Sequence, residues 1–105
     1  MTNVFDNILG LIGNTPMVKL NEVTKDIPAK VYAKIESFNP GHSTKDRIAL
    51  HIIEAAERKG LLTPGATIVE TTSGNTGFSI AMVSIIKGYN CILAVSSKSS
   101  KDKID

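Results

Sequence analysis

Between residues 31 and 95, three short apolar segments alternate with two helical ones, and this order limits the possible folds more than any other feature. Val31-Tyr32-Ala33-Lys34-Ile35-Glu36 alternates apolar and polar residues, the period of a strand. From Thr44 to Lys59 the residues Ile48, Ile52, Ile53, Ala55 and Ala56 recur at helical spacing. Gly60 is the stop, and Pro64-Gly65 makes the turn beyond it. Ala66-Thr67-Ile68-Val69-Glu70 is a short, partly β-branched second strand. Asn75 to Lys87 is a second helix, ended by Gly88. Tyr89 to Val95 reads as a third strand, apolar enough to be expected buried on both faces. Strand, helix, strand, helix, strand with short turns predicts an α/β fold, a three-layer arrangement of a parallel sheet with flanking helices.

The two ends read differently. Residues 1–30 hold apolar side chains between turn formers, as in Asn7 to Pro16, and show no clear period. They are expected to form an N-terminal arm, with a short strand near Met17 to Leu20, that packs on a larger second domain. Residues 31–105 are then the smaller α/β domain. Ser96 to Asp105 reads as a loop and the first turns of a third helix, too short to cover the sheet. An uncovered face of a parallel sheet is unfavourable. The chain is therefore expected to be an incomplete portion of a two-domain fold.

Several function classes are excluded by composition. A net charge of +2, with no basic run interleaved with aromatics, gives no reason to expect a nucleic-acid partner. Two histidines, His42 read as a loop residue and His51 as a partly buried helix residue, and a single cysteine lack the spacing of a metal site. No apolar run is long enough to span a membrane, and no signal peptide is visible. A cytoplasmic protein is the expectation, which the lone Cys91 suits.

The chemistry concentrates at two strand-to-helix junctions. Ser43-Thr44-Lys45-Asp46-Arg47 opens the first helix after the breaker-rich Asn39-Pro40-Gly41-His42. A cation is disfavoured at a helix start, and partial desolvation weakens the ammonium form further. Lys45 is therefore a candidate amine nucleophile. Its competing readings are a solvated lysine, as a helix-start lysine commonly is, or an ion pair with Asp46 or Glu36; Asp46 and Arg47 themselves read as structural ion pairs that hold the helix start. Thr71-Thr72-Ser73-Gly74-Asn75-Thr76-Gly77 opens the second helix. Its glycines permit a close backbone approach, and its N–H groups, hydroxyls and amide suit a small anion.

Jointly these segments are more specific than either alone. Ile12-Gly13-Asn14-Thr15-Pro16, then Asn39 to Arg47, then Glu70 to Gly77, in this order, strongly resemble the cysteine synthase and cystathionine β-synthase family. The resemblance runs from Ile8 to Asp105 and implies a fold of the tryptophan-synthase-β type and pyridoxal 5'-phosphate as cofactor. By that likeness Lys45 is the Schiff-base lysine and general base, and Asn75 contacts the cofactor ring's 3-oxygen. Thr72, Ser73, Gly74, Asn75 and Thr76 receive the substrate carboxylate. The implied reaction is a β-replacement on serine or an O-activated serine by a thiol or sulfide, in a full-length homodimer. Ser99 to Asp105 looks closer to the cystathionine synthase branch.

This sequence departs from the family pattern in two ways. His42 stands where many members have glycine. The family's glycine-rich phosphate cradle and its residue facing the pyridine nitrogen come later in the chain than the part matched here. The chain alone is accordingly expected to be inactive. The alternatives are a fragment or interaction domain that keeps the fold without activity, and a nucleotide-binding module, which the absence of a G-x-G-x-x-G turn disfavours.

Overall fold

The structure, a computed structural model, describes residues 3–72 and 74–95. Its elements are β1 (Met17–Lys19), β2 (Tyr32–Lys34), α1 (Lys45–Arg58), β3 (Thr67–Thr71), α2 (Asn75–Lys87) and β4 (Asn90–Ala94). Single 3-10 turns lie at Ile8–Leu11, Glu22–Thr24 and Glu36–Phe38.

β3 and β4 pair in parallel, Thr67 opposite Asn90 and Thr71 opposite Ala94, with α2 as the crossover between them. The ladder runs one residue further, where Thr72 N–H donates to the Ala94 carbonyl at 3.1 Å. α1 lies along α2. Ala49 and Ile53, four residues apart on α1, meet Ile80 and Val83, three apart on α2, and all four are at most 3 % exposed. These spacings put each pair on one helix face. Each isoleucine buried there contributes about 1.5–3 kcal/mol. Leu9, Ile12, Leu62, Ile68 and Cys91 close around this core, so the 3-10 turn of the arm takes part in it.

Glycine ends both helices, as the sequence predicts. After α1, Gly60 takes φ +73°, its N–H donates to Glu57 O, and Leu61 N–H donates to Ala56 O. After α2, Gly88 takes φ +84°, with Gly88 N–H bonded to Ile85 O and Tyr89 N–H to Ser84 O. This paired closure satisfies the last carbonyls and needs a residue that tolerates positive φ.

The sheet corrects one expectation. The segment around β2 was expected to be the first strand of the parallel sheet. Instead β2 pairs antiparallel with β1, Met17 opposite Lys34 and Lys19 opposite Tyr32. Ile35 N–H donates to Pro16 O and Leu20 N–H to Val31 O, both at 2.9 Å, extending the ladder at either end. The alternating pattern of residues 31–36 is that of a strand with one solvated face, which antiparallel pairing permits. Two further expectations fail on exposure. β4 is largely exposed, Ile92 at 56 %, because α1 and α2 cover only one face of its sheet. His51 is exposed instead of partly buried, since it points away from the face that carries Ala49 and Ile53. Among the described residues no helix is long and apolar enough to cross a membrane.

Candidate functional site

The end of β3 leads directly into the first turn of α2. Thr72 Oγ1 accepts hydrogen bonds from Gly77 N–H at 3.0 Å and Gly74 N–H at 3.3 Å. It thus performs the capping that Gly74, at the N-cap position, has no side chain to perform. A Cβ on Gly77 would run into the Thr72 methyl, so the close approach of Thr72 requires glycine there. Among the described residues, the N–H groups of Asn75 and Thr76 have no hydrogen-bond partner. This turn presents two backbone donors and the positive end of a helix dipole.

Lys45 is the first residue of α1 and is half-buried. Its own N–H donates to Ser43 Oγ at 3.1 Å. The loop before it is held at three points. The side chain of buried Asn39 accepts from Gly13 N–H at 2.8 Å and donates to Glu36 Oε1 at 3.0 Å. His42 N–H donates to Asn39 O at 2.8 Å, with His42 itself at φ +67°. Gly41 N–H donates to Asp46 Oδ2.

The structural reading of Lys45 as an ion-pair partner is not met: among the described residues no carboxylate lies within salt-bridge distance of its amine. Both expected partners are committed elsewhere. Glu36 receives Arg47 Nε at 2.7 Å, Arg47 Nη2 at 3.1 Å and Thr15 Oγ1 at 2.7 Å. The Arg47 hydrogen bond, then that of Thr15, pulls the Glu36 carboxyl from its ordinary 4.5 to about 2. Arg47 is raised in turn by Glu36. Arg47 Nη2 also reaches Gly13 O at 3.0 Å and Thr15 Oγ1 at 3.1 Å. Arg47 therefore makes the ion pair expected of it, whereas Asp46 makes none among the described residues. Fully buried, Asp46 accepts from Gly41 N–H and from the Ser79 hydroxyl.

The Asp46–Ser79 bond ties the two junctions together. Asp46 follows Lys45, and Ser79 lies four residues, about one turn, after Asn75. Lys45, Thr72, Gly74, Asn75 and Thr76 thus belong to two helix starts held side by side. Ser73 lies outside the described residues, as do Ser99 to Asp105 and the branch signal read from them. Sequence reasoning gave no role to Thr15, Asn39 or Ser79. For the first two the signal was present, since both sit inside the turn segments Asn14-Thr15-Pro16 and Asn39-Pro40-Gly41; Ser79 carried none. Among the described residues no cluster of three or more His, Cys, Asp or Glu side chains could hold a metal ion.

Known proteins are similar to this chain. Cystathionine beta-synthase of Apis mellifera is 50% identical over 105 residues, covering 98% of this chain and 21% of its own length. Cysteine synthase of Staphylococcus aureus is 52% identical over 98 residues, covering 93% of this chain and 32% of its own. The crystal structure of O-ureido-L-serine synthase superposes with a TM-score of 0.85 at 45% identity, covering 96% of this chain and 32% of that one. A hydrogen sulfide-producing enzyme from Fusobacterium nucleatum superposes with a TM-score of 0.89 at 42% identity, covering 97% and 33%. The chain spans about a fifth to a third of the length of these relatives. The α/β fold read from the sequence is the fold of these enzymes over the part matched. The family described as pyridoxal-phosphate dependent enzyme matches residues 8–105, which include both helix starts and the loops that hold them, and the chain belongs to that family.

Proposed function

We propose that this chain supplies the reactive amine and the carboxylate-binding turn of an enzyme that replaces the β-substituent of serine or an O-activated serine with a thiol or sulfide. The observation that carries the reading is Lys45, an amine at a helix start whose neighbouring carboxylates are all bound by other groups. The names of the relatives, cystathionine beta-synthase, cysteine synthase and O-ureido-L-serine synthase, support the reaction class. The donor set fits pyridoxal 5'-phosphate, which needs an amine free of ion pairs. Lys45 would hold the cofactor through Nζ, and Asn75 would contact its ring oxygen. Once bound, the cofactor ring supplies an electron sink that acidifies the substrate Cα–H.

The chain's own residues do the rest. The N–H groups of Asn75 and Thr76, with the hydroxyls of Thr72, Ser73 and Thr76, bind the substrate carboxylate, and Gly74 leaves space for it. Once the substrate amine has displaced Lys45 Nζ from the cofactor, the freed Nζ would take the Cα proton as general base. The capping of Gly74 and Gly77 by Thr72 keeps the turn preorganised. A homodimer of the full-length protein and residence in the cytoplasm belong to the same proposal.

One observation favours a second reading, an interaction domain that keeps the fold without activity. Ile52, Leu61, Val69 and Ile92 leave apolar surface exposed on α1, the segment after it and the parallel sheet. Incubating the purified chain with pyridoxal phosphate, reducing with borohydride and mapping the adduct by mass separates the two. Selective labelling of Lys45 supports the enzyme reading. No selective adduct overturns it for this chain and leaves the fold-only reading.

A further inference from the structure

Asp46 is an unusual way to fill a core. It is 0 % exposed and makes no ion pair among the described residues, although Lys45 and Arg47 flank it in sequence. A buried carboxylate costs more than an apolar residue of similar size unless its hydrogen bonds are well made, so packing alone does not account for it. Its two bonds go to different elements. One oxygen accepts from Gly41 N–H in the loop that delivers Lys45, and the other accepts from the Ser79 hydroxyl on α2. The approach on the loop side is so close that a Cβ on Gly41 would collide with the carboxylate. Lys45 and Asp46 are successive helix residues, about 100° apart around the axis, so anchoring one sets the direction of the other.

We propose that Asp46 is a positioning residue: by bridging the Gly41 N–H and the Ser79 hydroxyl, it holds the Lys45 amine in a fixed direction relative to the first turn of α2. The inference rests on the reading of Lys45 as the cofactor-holding amine. Nothing else among the described residues bridges the loop before α1 to the first turns of α2 through a side chain. Glu36 and Arg47 tie the same loop to Gly13 and Thr15 and, among the described residues, make no hydrogen bond to α2.

The test compares two labels at Lys45, each measured relative to Lys59 just past the other end of the same helix. Reductive labelling with pyridoxal phosphate reads the direction of the amine; acetylation by acetic anhydride reads its accessibility. In the wild-type chain pyridoxal phosphate is expected to prefer Lys45. Ser79→Ala should lower that preference at least about tenfold, as misplacement of a reacting group does, while changing acetylation less than twofold. Asp46→Ala should do the same if it folds. Asp46→Asn, which can still accept from Gly41 and donate to Ser79, should restore the preference, an outcome a merely structural loss does not give. A preference kept within twofold in Ser79→Ala overturns this proposal alone. No preference in the wild-type chain overturns the reading of Lys45 and this proposal with it.

Discussion

Arg47 on the first turn of α1 grips Glu36 with two hydrogen bonds, Nε to Oε1 at 2.7 Å and Nη2 to Oε2 at 3.1 Å. Arg47 also reaches Gly13 O and Thr15 Oγ1, so one guanidinium joins three segments far apart in sequence. Because planar bidentate pairing and the Thr15 hydroxyl both favour the charged carboxylate, Glu36 is lowered to about 2.

That shift sets a pH window. The folded value lies below the ordinary 4.5, so the stabilisation by Glu36 is fully present above pH 4.5 and is lost as pH falls toward 2. Glu36→Gln should therefore be less stable than wild type at neutral pH, and the difference should shrink between pH 4.5 and 2. Urea unfolding of both proteins across that range measures it. A difference that stays constant with pH would mean the carboxylate charge is not what Arg47 holds.

The other end of α1 carries a mirror of this arrangement. Glu57 accepts from the Tyr89 hydroxyl at 2.6 Å and from Lys87 Nζ at 3.0 Å, fastening the C-terminal turns of α1 and α2. Tyr89 first, then Lys87, lowers the Glu57 carboxyl, while Glu57 raises both Tyr89 and Lys87. Tyr89→Phe should let Glu57 titrate closer to its ordinary value, followed by carboxyl chemical shifts against pH. On the alkaline side the sign reverses. Stabilisation from Tyr89 and Lys87 is present below their ordinary values near 10 and 10.5 and is lost as pH rises through their higher folded values.

His42 is the only non-glycine residue with positive φ among those described, at +67°. It is exposed, so no burial compensates the conformation. A left-handed conformation costs an L-residue about 1–2 kcal/mol, and glycine gives back part of that through its greater freedom when unfolded. His42→Gly should fold as well as wild type or up to about 1 kcal/mol more stably, whereas His42→Val should lose at least about 1 kcal/mol. Thermal unfolding of the three proteins decides it.

How much of this the sequence disclosed depends on the range of the interaction concerned. The span of α2, from Asn75 to Lys87, was readable because Gly74 and Gly88 punctuate it locally. α1 was readable to within a residue for the same reason, with Gly60 as its stop. The pairing of β1 with β2 was not, since a three-residue strand declares its period but not its partner. Glu36, Thr15 and Arg47 are ordinary surface types when read singly, and only the tertiary fold converts them into a cluster. Asp46 misleads in the opposite direction. Its place beside Lys45 and Arg47 reads as an ion pair, and its true partners are Gly41, five residues back, and Ser79, thirty-three ahead.

Thr72 and Gly77 form a pair whose chemistry is testable by exchange. Gly77→Ala pushes a Cβ into the Thr72 methyl, forcing that side chain out of its capping position. Overpacking of this kind costs about 1–3 kcal/mol. Thr72→Ser keeps the capping hydroxyl and removes the methyl, so it should cost little alone and should relieve much of the Gly77→Ala loss. A double-mutant cycle on unfolding free energies tests this; strict additivity would show that the two side chains do not contend for one space.

The roles proposed at the two helix starts make a last, functional prediction, for the proposed enzyme. If Lys45 Nζ moves the Cα proton, Lys45→Ala removes both the amine that holds the cofactor and the base, and turnover of serine or O-activated serine should be abolished. A general base alone is worth about 10²–10⁴-fold, so a residual rate within tenfold of wild type would sink the assignment. Asn75→Ala should behave differently, because Asn75 opens α2 and contributes an amide and a backbone N–H, whereas the amine is carried by Lys45 at the start of α1. It should weaken the response to added amino acid more than it weakens retention of pyridoxal phosphate. Titrating the cofactor's visible absorbance with serine in both variants separates the two losses. An unchanged response to amino acid in Asn75→Ala would count against its role in receiving the substrate carboxylate.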